Sequence, residues 1–343
     1  MTKVTYYFGA GASYSALPIV NQIPDRIENL ISLMKRDEYK LNSEISYKEN
    51  NIARFSQLEI QELFIEDLEW LLEKTKNHAS IDTFAKKLFI TEQDDELKRL
   101  KNAFSVFLIL EQSITKTNMR YDSFFASILD DDYHPLPNNI KIVSWNYDYQ
   151  FEKAYSEYTR NSTLSHNQGL LNILNKYSKN SDRIKKDSFE IIKLNGSSNI
   201  ISTDWRQLNF YNNNITTPFS IGFISDVLHN YAILRFPRPH LYSGLSFAWE
   251  TFNYEYQIDI VEHTLSMTEE TEILIVIGYS FPYFNREIDR KIIGNMKNLK
   301  KVYFQAPDAE NLKERFLSIR TDIPQDQLLC RHDVGQFLLP NEL

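Results

Sequence analysis

Five compact apolar runs punctuate the chain: Lys3–Phe8, Ile140–Trp145, Phe189–Leu194, Ile273–Gly278 and Lys301–Gln305. Each is rich in β-branched or aromatic residues and ends in polar or turn residues, the pattern of strands buried on both faces in a parallel sheet. Elsewhere the apolar positions take helical spacing, with Ile288, Ile292, Ile293 and Met296 on one face after the fourth run and Leu312, Phe316 and Ile319 after the fifth. The alternation predicts an α/β fold, a doubly wound and mostly parallel sheet. Residues 26–139 depart from it, carrying helical faces such as Ile60, Phe64, Leu68, Leu71 and Leu97, Leu100, Phe104, Phe107, Leu108. This stretch reads as a helical module inserted after the first βα unit of a single domain spanning 1–343. The stretch 200–250, with Trp205, Trp249, Pro218, Pro237 and Pro239, predicts aromatic-packed loops and short helices, and Asp130-Asp131-Asp132 reads as a solvated turn.

Composition narrows the function classes. Lys and Arg total 38 against 46 Asp and Glu, so the electrostatic footprint of a duplex-binding protein is missing and no direct nucleic-acid partner is expected. One cysteine, Cys330, allows neither an internal disulfide nor a multi-cysteine zinc cluster and suits a reducing compartment. No apolar run approaches the roughly 18 to 20 residues of a membrane span. A cytoplasmic protein is the expectation. His78, His263 and His332 lack metal-ligand spacing; His134, His166, His229 and His240 read first as surface or structural residues, with His229 and His240 able to reach a pocket from a loop.

The first run leads directly into Gly9-Ala10-Gly11-Ala12-Ser13. Small residues between a strand and a helix let backbone N–H groups approach a phosphate, and they equally serve close packing without a ligand. In an open parallel sheet ligands sit beyond the carboxyl ends of the strands. Those ends here carry Ser144-Trp145-Asn146-Tyr147-Asp148-Tyr149, Lys193-Leu194-Asn195-Gly196-Ser197-Ser198-Asn199, Gly278-Tyr279-Ser280-Phe281-Pro282 and Gln305-Ala306-Pro307-Asp308. Singly, Asn146, Asp148 and Ser280 fit turn or cap roles and Gly196 a turn; together at one sheet edge they suggest a site.

With these residues the chain resembles the SIR2-like, or sirtuin-fold, family. That family opens with Gly-Ala-Gly-x-Ser and a nearby small apolar residue and Pro, matched by Gly9 to Ser13 with Leu17-Pro18. Its Asn at a strand end followed by Asp is matched by Asn146 and Asp148, and its Leu-His-Gly by Leu194-Asn195-Gly196. The run 278–281 with Asn285 resembles the divergent bacterial branch associated with antiphage defence. The resemblance implies a Rossmann-like sheet and NAD as substrate or ligand, without a metal. It places Gly9, Ala10, Gly11, Ala12, Ser13, Pro18, Asn21, Gly196, Gly278, Ser280 and Pro307 at the nucleotide, with Asn146, Asp148 and Asn195 in the catalytic positions. Ile19-Val20-Asn21 replaces the Asp-Phe-Arg of protein deacylases, and the four-cysteine zinc module has no counterpart, so histone-type deacylation is not expected.

Asn195 stands where the family has its histidine, and an amide cannot take a proton near neutral pH. NAD carries a cationic leaving group, so cleavage needs little acid catalysis and passes through an oxocarbenium-like state. Two readings follow. One is an NAD+-hydrolysing effector, held off until a signal, a protein partner or self-assembly completes the site; the other is a subunit of a defence complex that binds NAD or an ADP-ribose-like nucleotide without turnover.

Overall fold

A computed structural model describes residues 1–48, 52–129, 136–179, 188–203, 207–210, 215–236, 241–250 and 257–343. The acidic run 130–132, His134, Trp205, Pro237, Pro239 and His240 lie outside the described residues.

The strands are β1 (Val4–Phe8), β2 (Ile140–Ser144), β3 (Ile173–Asn175), β4 (Glu190–Lys193), β5 (Gly196–Thr203), β6 (Gln207–Asn209), β7 (Leu241–Leu245), β8 (Ile273–Ile277), β9 (Lys301–Gln305) and β10 (Leu328–Arg331). The helices are α1 (Ile23–Met34), α2 (Gln57–Asn77), α3 (Ile81–Ile90), α4 (Asp94–Ile114), α5 (Met119–Ile128), α6 (Gln150–Thr159), α7 (Leu164–Leu170), α8 (Ile221–Arg235), α9 (Ile260–Thr268), α10 (Arg286–Asn295) and α11 (Ala309–Leu317).

A seven-stranded parallel sheet in the order β10-β9-β8-β1-β2-β4-β3 forms the centre of this Rossmann-like α/β fold. The first strand lies in the middle, Val4 registering with both Ile140 and Ile273 and Phe8 with both Ser144 and Ile277. The chain moves outward on one side of β1 and later returns to the other, which puts the topological switch point beside β1. Alternation distributes the strand side chains between two cores. Tyr6 and Phe8 pack with Tyr121, Phe124 and Phe125 of α5 and Phe151 of α6. Tyr7 packs with Ile292 and Ile293 of α10 and Leu312 and Phe316 of α11.

All five apolar runs are strands, and pairing continues one residue past the assigned ends at Trp145, Leu194 and Gly278, whose N–H groups donate to Phe8, Ser144 and Gln305 at 3.0, 2.9 and 3.1 Å. The segment between β1 and β2 is helical, but its last helix belongs to the sheet. α1 to α4 share a separate core with α8, whereas α5 covers the sheet face. The expectation of loops and short helices for 200–250 needs correction. α8 is a helix of 15 residues, capped by Ser220 accepting from Phe223 N–H, and β5, β6 and β7 form a second, antiparallel sheet in the order β6-β5-β7. β5 escaped detection because its Gly-Ser-Ser-Asn start is polar although buried, with Ser197 bonded to Asn199. β3 is short, and β10 is an edge strand with half-exposed residues.

Candidate functional site

The carboxyl ends of β1, β2, β4 and β8 converge on a cavity of about 310 Å3. The glycine turn after β1 forms one wall. It winds as a single 3-10 turn, Ala10–Ser13, and α1 begins only at Ile23 with Pro24 in its first turn, so the strand–turn–helix cradle expected from the sequence is absent. Three of the turn's amides are already engaged: Gly9 N–H donates to Ile277, Gly11 to Gly278 and Ala12 to Gly9, at 3.0, 3.0 and 2.9 Å. Glycine is needed here for packing, because a Cβ on Gly11 would stand 2.9 Å from Gly278 Cα, and one on Gly9 2.5 Å from Tyr279 Cα. Gly278 itself adopts φ +57°, which favours glycine. Arg120 donates to the carbonyls of Gly11 and Ala12 from behind the turn, fixing its orientation.

Ser13 is the hub of a buried polar network. Its hydroxyl donates to Asp148 Oδ2 at 2.5 Å, pairs with the Tyr121 hydroxyl at 2.7 Å and accepts from Asn146 Nδ2 at 3.3 Å. A hydroxyl has one proton, so Ser13 spends it on Asp148 and receives from the other two. Burial pushes the Asp148 carboxyl up, opposed by the Ser13 bond, the Lys193 charge and Gln150 N–H. Lys193 donates to the Asp148 carbonyl at 2.7 Å and pairs with Glu152 at 2.6 Å beneath the site. Burial, then the Asp148 charge, raise the Tyr121 phenol far above its ordinary value.

Asn195 is turned into the scaffold. Its Nδ2 donates to the Trp145 carbonyl at 3.1 Å and reaches the Tyr147 hydroxyl at 3.4 Å, while buried Oδ1 has no hydrogen-bond partner. On the far wall Tyr279 stacks on Trp145 with ring centroids 5.9 Å apart, accepts from Asn285 Nδ2 at 3.0 Å and donates to Asp289. Burial pushes the Asp289 carboxyl up to about 7, although both Tyr7 and Tyr279 donate to it. The loop after β8 holds Phe281 at φ +49° in the core and leaves Tyr283 80% exposed at the cavity mouth.

Of the residues expected at the site, Gly9, Ala10, Ser13, Pro18, Asn146, Asp148, Asn195, Gly278 and Ser280 line the cavity. Gly11 and Ala12 support the turn from behind. Three further expected residues lie outside the cavity lining. Asn21 is exposed and is not among the lining residues, although Val20 and Ile23 on either side of it are. Gly196 lies in β5 at φ +75°, where a Cβ would fall 1.9 Å from the Gly244 carbonyl oxygen, so its role is strand pairing. Pro307 is exposed, and its carbonyl meets His332 Nδ1 at 3.1 Å. Among the described residues no histidine lines the cavity; His229 stacks on Tyr47 in the helical layer.

Sequence reasoning missed the contribution of α3. Ser80, Ile81 and Asp82 enter the cavity opposite the strand ends, together with Phe104 and Leu108 of α4. Ser80 caps α3 by accepting from Thr83 N–H at 3.1 Å, a local Ser-x-x-Thr signal that names a helix start but not what it faces. Asp82 is half-buried at the cavity, and partial desolvation, opposed by its own backbone N–H, pushes its carboxyl up to about 6. Among the described residues lining the cavity, Asp82 and Asp148 are the carboxylates and no Lys or Arg is present. No described helix is long and apolar enough to cross a membrane, and no described group of three His, Cys, Asp or Glu is placed to hold a metal. No protein-family model matches this chain, and no curated protein does.

Proposed function

We propose that the cavity binds an NAD+-type nucleotide by its nicotinamide–ribose end and that the protein hydrolyses the nicotinamide–ribose bond. The observation carrying this reading is the lining itself, two carboxylates and a fixed asparagine with no cationic side chain, at the switch point of a parallel sheet. Such a wall favours positive charge. In NAD+ cleavage the charge moves from the pyridinium nitrogen to the C1′–O4′ unit, and Asp148 and Asp82 stand to favour it throughout. Asn146, held through Ser13, orients a ribose hydroxyl or water by its amide. The aromatic wall of Trp145 and Tyr279 suits a planar ring. The resemblance to the SIR2-like defence branch extends the proposal to an effector that depletes NAD+ when a signal or partner releases it.

A second reading rests on Asn195. Its amide is committed to Trp145 and it cannot accept a proton, which favours a nucleotide-binding subunit without turnover. Equilibrium binding of NAD+, NADH and ADP-ribose tests the reading. An acidic cavity should prefer NAD+ over the uncharged dihydronicotinamide of NADH by roughly tenfold, about 1.4 kcal/mol, at pH 8. The preference should shrink below pH 6, as Asp82 takes a proton. Equal affinities would contradict the assignment of the cationic end to this cavity. ADP-ribose binding more tightly than NAD+, with no nicotinamide released, would favour the subunit.

A further inference from the structure

We infer that Asp82 is the general base of this site, the group that takes the proton from the attacking water. The inference rests on the hydrolase reading above and assigns a step which that reading leaves without a residue. Asn195 offers only hydrogen bonds, and its Nδ2 already donates to Trp145. The Asp148 carboxylate is committed on both oxygens, Oδ2 to Ser13 and Oδ1 to Gln150 N–H at 3.1 Å. Asp82 differs from both: it lines the same cavity, and the hydrogen bond to its carboxylate comes from its own backbone N–H rather than from a neighbouring side chain of the site. It is also rigidly placed, since the Ser80 cap bonds both Thr83 N–H and the Thr83 hydroxyl, the latter at 3.0 Å.

The groups around Asp82 leave it this role. Tyr147 and Asp148 of the loop after β2, Tyr279 and Tyr283 of the loop after β8, and Phe104 and Leu108 of α4 line the cavity with it. Burial, then the charges of Asp82 and Glu250, hold the Tyr147 phenol well above its ordinary value, so it stays protonated and does not serve as the base. A carboxyl near 6 is ionised at neutral pH and basic enough to act. In the step, the water oxygen bonds to C1′ as the C1′–N bond breaks. The bonding pair leaves with the pyridinium nitrogen, giving neutral nicotinamide, and the water proton passes to the Asp82 carboxylate and then to solvent.

The test compares wild type, Asp82→Asn and Asp82→Ala as full chains, following nicotinamide release from NAD+ with and without azide, an anionic nucleophile that needs no base. Asp82→Asn should lower kcat by about 100-fold or more with KM within about threefold, the usual scale of general-base loss. Azide should raise the Asp82→Ala rate more than about tenfold and yield a ribosyl azide, with less than about twofold effect on wild type. A structural role would not be rescued. An Asp82→Asn rate within about threefold of an active wild type, or failure of azide to rescue a folded Asp82→Ala, overturns the base assignment and leaves the hydrolase reading intact. A wild type that binds NAD+ and releases no nicotinamide overturns both.

Discussion

Replacing Ser13 by alanine removes one oxygen and leaves three buried groups without their shared partner. The Asp148 carboxylate loses a donor at 2.5 Å, Tyr121 an acceptor at 2.7 Å and Asn146 an acceptor at 3.3 Å. The bond to the carboxylate dominates, since hydrogen bonds to charged groups are worth about 1.5–3 kcal/mol and the long Asn146 contact adds little. A loss of about 2–4 kcal/mol at pH 8 is expected. Its pH dependence separates this account from simple loss of packing. Burial already raises the folded-state carboxyl above its unfolded value, and the Ser13 bond is what holds it down, so Ser13→Ala raises it further. For a raised carboxyl, the stabilisation is present below the unfolded value and is lost as pH rises through the folded one. The variant therefore falls behind wild type progressively above the ordinary carboxylate range, each unit of extra shift costing about 1.4 kcal/mol. Urea unfolding of both proteins at pH 5 and pH 8 measures this, and the gap should be wider at pH 8. A gap below about 0.5 kcal/mol, or one equal at both pH values, would refute the charged-hub reading.

Gly11→Val should destabilise by about 1–3 kcal/mol or more through its clash with the Gly278 backbone, 2.9 Å from the new Cβ; thermal unfolding should register the loss, and a variant of wild-type stability would contradict the packing role. Asn195→His should not raise nicotinamide release, because the larger ring displaces the amide from Trp145 and Asp82 already supplies the base. A gain of about tenfold or more would show that the missing histidine limits the rate. Tyr283→Ala should weaken NAD+ binding about fivefold to tenfold by removing the exposed ring at the mouth, with Tyr283→Phe close to wild type; calorimetric titration distinguishes them.

The central sheet was legible because its strands are buried on both faces and so spell continuous apolar runs, Val4–Phe8 and Ile273–Ile277 above all. β5 was not, since its buried start is polar, with Ser197 bonded to Asn199, and leaves no apolar signature. The strand-end rule located Asn146, Asp148, Asn195 and Gly278 at one cavity, because parallel register aligns those ends. Gly11 illustrates the limit of a motif: the same glycine serves a phosphate approach or a backbone crossing, and only the Gly278 contact distinguishes them. Asp82 was out of reach for another reason. Its place in the cavity depends on how α3 packs against α2 and α4, which no local pattern encodes.

The central claim is most directly tested by incubating the full chain with NAD+, alone and with candidate partner proteins, and quantifying nicotinamide and ADP-ribose over time beside Asn146→Ala. Equal amounts of the two products from wild type, with the Asn146→Ala rate at least about 100-fold lower and NAD+ affinity largely kept, is the predicted result. Nicotinamide release by Asn146→Ala at the wild-type rate, or none from wild type under every condition despite NAD+ binding, would contradict it.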